Sequence, residues 1–200
     1  MIQAGMSGGR ILVGRQLDAS FEAEADQIRC LLPAEAGSQA SIVRYLSIYL
    51  NDHLAGATVG VELARRVHAS NRGDSAFGEP LGRICREIEE DRAALEQVID
   101  RLGLARSRVK PAGAWVAEKL GRLKLNGRLR GYSPLSRLLE LEGLMIGITG
   151  KMALWKTLAA LEDAEGLGID FVQLAARAAE QRSAVEDLHR LAGAALAADD

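Results

Sequence analysis

The sequence contains few aromatic residues, few β-branched residues and only two cysteines. Because β-branched residues favour strands, their scarcity beside abundant Ala, Leu, Arg and Glu predicts helices and not a sheet. Cys30 and Cys85 are far apart in the chain and form no Cys-x-x-Cys motif. This argues against a disulfide scaffold and indicates reduced thiols.

Long apolar runs and a strong charge of one sign are also lacking. There is no stretch of about 18 uncharged apolar residues, so we expect no transmembrane helix. Residues 11–14, between Arg10 and Arg15, are too few for the core of a signal peptide. The cytoplasm is therefore the expected location. The net charge of −2 gives no reason to expect a nucleic acid partner.

Motifs of the common enzyme classes are missing as well. The chain has no Gly-x-Ser-x-Gly, no P-loop and no Gly-x-Gly-x-x-Gly after a strand. Cys85 has no histidine predicted beside it, so we expect a small core residue and not a nucleophile. These absences favour a protein that is not an enzyme, without deciding the question.

Helical periodicity is present in four segments. We predict helices over residues 41–68, 80–102, 134–161 and 170–195. Short connections join the first helix to the second and the third to the fourth, whereas about thirty residues separate the second from the third. The expected fold is all-α: an antiparallel four-helix bundle over residues 38–200, with a crossover at 103–132 and a partly flexible N-terminal extension at 1–37.

The third predicted helix is apolar on two sides, which is typical of a central helix or of an oligomer interface. We expect the side that carries Glu142 to face the core. The other side suggests a homodimer, and its residues are Leu141, Leu144, Ile148 and Trp155. Two spaced glycine pairs, Gly56-x-x-x-Gly60 and Gly143-x-x-x-Gly147, predict close packing of helices.

One ionisable residue lies on or near the apolar face of each predicted helix: His53, Asp91, Glu142 and His189. If the helices pack in sequence order, all four lie at a similar depth. An ionisable group on an apolar face is costly unless it is paired or bound. Two hypotheses follow: a metal site for iron or manganese, or a hydrogen-bonded network that fixes the helix register. In the network, Arg92 and Arg182 would neutralise the acids.

This layout resembles the ferritin-like superfamily, which includes bacterioferritin and rubrerythrin. That resemblance implies a di-iron site with a Glu from each of two helices and a Glu-x-x-His from each of the other two. Glu142 matches a single carboxylate, and residues 186–189 read Glu-Asp-Leu-His. The second helix offers Glu87 and Asp91 without a histidine, and the first has no inward glutamate. The resemblance implies a divergent member with an incomplete ligand set, in which Glu87 and Glu186 are further candidate ligands.

Three functions are therefore open. The first is a bundle that has lost its di-metal centre and acts as a structural or interaction module. The second is an iron or manganese protein with a role in oxygen or peroxide chemistry. The third is contact with an anionic membrane or polyanion through residues 106–130, where eight Lys or Arg against one acid, Glu118, give a charge of +7. The alternative for that segment is to lie along its own acidic bundle.

Overall fold

The computed structural model describes residues 39–106, 132–161 and 165–198. Within these ranges the chain is helical and contains no strand, so the predicted all-α class is confirmed there. The helices are α1 (Gln39–Asn71), α2 (Gly78–Arg101), α3 (Pro134–Ala159), a 3-10 helix (Glu165–Leu167) and α4 (Phe171–Ala198). None of these helices has the length and apolar content needed to cross a bilayer. The predicted extension at 1–37, Cys30 and residues 107–131 of the predicted crossover lie outside the described ranges.

Local side-chain chemistry sets the helix ends. Ser133 has an extended backbone, and its hydroxyl accepts a hydrogen bond from the Ser136 amide at 3.1 Å, with Pro134 in the first helical position. Asp170 caps α4 by accepting from the Gln173 amide at 2.8 Å. After α2, Gly103 adopts a φ of 64°, a conformation that a residue with a Cβ rarely takes.

Helix α1 packs on α2, α3 packs on α4, and α1 also contacts α3. The smaller contact between α2 and α4 joins the two helix pairs. Near the start of α1, Asn51 donates to the carbonyl of Ala105, beyond the end of α2, at 3.1 Å. Near the end of α3, the Trp155 ring stacks on Phe171, the first residue of α4, with ring centroids 6.1 Å apart. A side-chain contact therefore links the two segments within each pair.

Periodicity predicts a core face of the second helix made of Leu81, Ile84, Ile88, Leu95, Ile99 and Leu102. The first five are buried, whereas Leu102, just after the end of α2, is partly exposed. In α1, however, Asn51 was expected on the solvent face and is buried. Its side-chain amide also donates to the Ser47 carbonyl at 2.8 Å, so the polar group is satisfied inside the structure.

Our assignment of the two sides of α3 was wrong. The side expected to form a dimer interface is buried within the chain, because Leu141, Leu144, Ile148 and Trp155 are at most 2% exposed. The side expected to face the core holds Ile146, which is 74% exposed, and Leu135, which is 38% exposed. Periodicity cannot choose between two sides that are both apolar, so only packing against α1 and α4 decides which side is buried.

Candidate functional site

The most buried acid of the described helices is Asp91 of α2, which is 1% exposed. Its Oδ1 accepts hydrogen bonds from Nε of Arg177, at 3.1 Å, and from Nη2 of the same guanidinium. Its Oδ2 accepts from Nζ of Lys151 and from Nε2 of Gln181, the latter at 3.2 Å. We call these four residues the Asp91 cluster. It ties α2 to α3 and α4.

Helical geometry explains why these side chains meet. Asp91 follows Ile88 by three residues and precedes Leu95 by four. Residues at this spacing lie on the same side of a helix, so Asp91 lies on the buried side of α2. Gln181 occupies the same kind of position in α4, between the buried residues Ala178 and Val185. Lys151 follows the uncharged segment 143–150 of α3. A lone lysine after eight uncharged residues of a helix needs an acid as its partner if it is buried. The sequence contains this signal, but our prediction did not use it.

The positive charges of the Asp91 cluster are balanced once the neighbouring carboxylate of Glu90 is counted. Burial lowers the pKa of Lys151, and the Asp91 carboxylate opposes that shift. Arg177 also pairs with the exposed Glu90 at 2.8 Å, so two cations face two carboxylates. An ionised carboxylate has about four sites that accept hydrogen bonds, and four N–H groups bond to Asp91. Asp91 therefore has no accepting position left for a metal without breaking a bond inside the cluster.

A cavity of about 420 Å³ adjoins the Asp91 cluster between α1, α2 and α3. Asp91 and Lys151 line it on one side, and His53 lines it on the α1 side. The His53 ring contacts the Tyr49 ring edge-on, with centroids 4.6 Å apart. Burial lowers the pKa of His53 more than the neighbouring Asp52 raises it, which favours the neutral imidazole at pH 7. The apolar lining includes Ala57, Leu63, Ile88, Leu95, Leu144, Ile148, Leu154 and Trp155.

Five glycines also line this cavity: Gly56, Gly60, Gly143, Gly147 and Gly150. A Cβ placed on Gly143 would lie 3.1 Å from the Leu63 side chain, so close packing occurs there. A Cβ on any of the other four would have no neighbouring atom within 4 Å. The prediction of close packing is therefore wrong for Gly56, Gly60 and Gly147. These glycines leave space between the helices.

The other two predicted site residues form a separate pair. Nε2 of His189 lies 3.1 Å from Oε1 of Glu142, and both side chains are partly exposed. Glu142 precedes Lys151 by nine residues, which is roughly 13 Å along a helix at 1.5 Å per residue. The predicted single polar layer is thus wrong: His53 and Asp91 line the cavity, while Glu142 and His189 meet at another level. Periodicity gives the side of a helix but not its axial alignment with its neighbours.

The remaining charged residues named in the sequence pair elsewhere. Glu87 pairs with Arg83 at 3.3 Å, and Glu186 with Arg182 at 3.8 Å. Arg92 pairs with Glu96 at 2.8 Å, so Arg92 and Arg182 do not neutralise Asp91 as expected. Across residues 39–106, 132–161 and 165–198, no three His, Cys, Asp or Glu side chains lie close enough together to hold a metal ion.

A second buried polar cluster, not predicted, lies between α1 and α3. Glu140 pairs with Arg66 at 2.9 Å and accepts from the Tyr132 hydroxyl at 3.0 Å. Asn71 donates to the same hydroxyl at 2.9 Å. Burial raises the pKa of Glu140, with Arg66 opposing the shift, and burial raises the pKa of Tyr132 to about 12. These contacts join α1 to α3, while Nη2 of Arg66 and Oδ1 of Asn71 are buried and have no hydrogen-bond partner within the described residues.

Comparison of the chain with protein-family models, with curated proteins and with solved structures found no match. The features that bear on function are therefore the Asp91 cluster and the cavity beside it.

Replacement of Asp91 by asparagine should destabilise the protein by about 3–5 kcal/mol, because it leaves the buried Lys151 charge without its counter-ion and leaves Arg177 with Glu90 alone. The matched control is Glu90→Gln on the same helix. Glu90 is 63% exposed, so its loss should change the free energy of unfolding by less than about 1 kcal/mol. Urea unfolding followed by circular dichroism measures both. Equal, small losses would show that the Asp91 cluster contributes little.

Proposed function

We propose that this protein is a structural or interaction module and not an enzyme. Its fold is an antiparallel four-helix bundle of ferritin-like topology, in which the Asp91 cluster takes the place of a di-metal centre. The observation that supports this proposal best is the carboxylate of Asp91, whose accepting positions are all taken by Lys151, Arg177 and Gln181.

The contacts between helices support the proposed topology. In the first pair, Asn51 lies near Ala105 and Arg65 lies near Glu89, so the contacts advance along α1 as they recede along α2. In the second pair, Glu142 meets His189 and Lys151 meets Gln181 in the same opposed order. The chain between α2 and α3 is much longer than the connection within either pair. Two such pairs joined by one long crossover make a ferritin-like bundle.

The charges support the loss of a metal centre. A di-metal centre needs several inward carboxylates around metal cations. Here the Asp91 carboxylate lies among an ammonium and a guanidinium, which supply the positive charge that a metal would otherwise provide. A metal ion at Asp91 would have to displace Lys151 and Arg177 or bear their repulsion.

The two alternatives have less support. Among the candidate ligands, an iron or manganese protein would have the Glu142–His189 pair as its starting point, because Asp91 is saturated and Glu87 and Glu186 pair elsewhere. Binding of an anionic membrane or polyanion through residues 106–130 concerns a segment of which only Arg106 is described. Arg106 bonds to Asp100 at 2.6 Å.

Metal content tests the main proposal. The protein is incubated aerobically with ferrous iron or with manganese, desalted, and measured by mass spectrometry alongside Glu142→Ala. We expect no stoichiometric metal in either protein, because the cations of the Asp91 cluster repel a metal. Two equivalents per chain would overturn the proposal. One equivalent that Glu142→Ala abolishes would also overturn it, in favour of a mononuclear site at Glu142 and His189.

We also propose that the protein forms a homodimer through the exposed apolar side of α3, which carries Ile146 and Leu135. The change Ile146→Glu should shift the protein towards monomer in sedimentation velocity, because it places a charge in an apolar interface. Val172→Glu on α4 is the control, since Val172 is 43% exposed and lies on another helix. A monomer at every concentration, or the same association in Ile146→Glu, would contradict the dimer.

A further inference from the structure

We infer that the cavity beside the Asp91 cluster binds a small molecule with an apolar body and a carboxylate head, of the class of medium-chain fatty acids. This goes beyond the proposed structural role, which requires no ligand. The inference rests on the open space left by glycines, on the apolar lining, and on buried N–H groups that have no acceptor.

The first argument is the space itself. Gly60 and Gly150 lie in the middle of α1 and α3, where alanine is the better helix former. A Cβ at either position would meet no atom within 4 Å, so packing does not require glycine there. Glycine at these positions is therefore unfavourable for the bundle alone, and it keeps open a volume of about 420 Å³, within the usual size of small-molecule sites. The space is partly open to solvent, since Gly56 and Gly147 of its lining are exposed.

The second argument is the kind of polar group that lacks a partner. Trp155 is fully buried and lines the cavity, and its indole N–H has no hydrogen-bond partner within the described residues. Arg92 also lines the cavity, and its buried Nε lacks a hydrogen bond in the same set. Lys151 uses two of its three N–H donors, on Asp91 and Gln181. The groups with unused capacity are therefore donors.

A ligand that fits must bring an acceptor to these donors. Lys151 and Trp155 are four residues apart, so they lie on the same side of α3. Of the two acids in the lining, Asp91 is saturated and Asp52 is exposed to solvent. An amine head would find no free carboxylate in the interior, and only neutral acceptors such as the ring nitrogen of His53. A carboxylate can accept from two N–H groups at once, and its hydrogen bonds are of the stronger, charge-assisted kind.

The rest of the lining is aliphatic and therefore favours a ligand with an apolar chain. Aliphatic side chains of all three helices surround the space, among them Leu63 of α1, Leu95 of α2 and Ile148 of α3. Burial of a chain of CH₂ groups against them contributes about 0.8 kcal/mol per group. A short carboxylate such as acetate would have the head without this contribution, so the length of the chain should control affinity.

The test is isothermal titration calorimetry of the full chain with decanoate, below its micelle concentration. Decanol, decylamine and acetate are the comparison ligands. We expect one decanoate per chain, with decylamine and acetate weaker by roughly tenfold or more, since each loses either the charge-assisted bonds or the apolar body. Absence of decanoate binding, or equal binding of decylamine, would overturn the inference.

Two variants place the binding in this cavity. Gly60→Leu places a side chain in the open space, where its Cβ meets no atom within 4 Å, and should abolish decanoate binding, whereas Ala179→Leu, an exposed position of α4, should bind like the parent protein. Gly60→Ala is the milder version if the leucine variant does not fold. Trp155→Phe removes the N–H and keeps a ring, so it should weaken decanoate more than decanol, whose neutral hydroxyl accepts the weaker hydrogen bond. Unchanged decanoate binding in Gly60→Leu would show that the fatty acid binds elsewhere. Metal content plays no part in this test, so it can fail while the proposed function stands.

Discussion

The buried negative charge of Asp91 is the constraint on which the arrangement of the helices depends. A carboxylate that is 1% exposed must be paired, and its partners come from two other helices: Lys151 from α3, and Arg177 and Gln181 from α4. A shift of α2 by one helical turn would separate these groups by about 5 Å and leave the charge unpaired. A buried ion pair adds little net stability over apolar packing, but it can fix one register among several. We regard register as the main role of the Asp91 cluster.

Sequence reasoning found the four helices and the inward position of Asp91, because both depend on periodicity within one helix. The gap in the apolar line of α2 between Ile88 and Leu95 marked Asp91 directly. The partners of Asp91 depend on how far a lysine or arginine side chain reaches and on how the helices align along their axes, and periodicity contains neither. The buried side of α3 was assigned wrongly for a related reason: both sides of that helix are apolar, so the choice is made by packing.

The glycines show that one sequence pattern can have opposite structural results. The pair in α3 includes Gly143, which packs against Leu63, and Gly147, which meets no neighbour. Both glycines of the pair in α1 face open space. Spacing alone cannot distinguish a glycine that admits a neighbouring helix from one that leaves room for a ligand. Together the Asp91 cluster and these glycines produce a bundle that is tied by charge on one side of its interior and open on the other.

A double-mutant cycle between Asp91 and Lys151 tests the central claim most directly. Asp91→Asn, Lys151→Met and the double variant are unfolded in urea, and the coupling energy is taken from the three changes in unfolding free energy. If the two charges compensate each other in the interior, the double variant should lose less stability than the sum of the single changes, by roughly 1–3 kcal/mol. Additive losses, within about 0.5 kcal/mol, would contradict an account in which this ion pair organises the bundle.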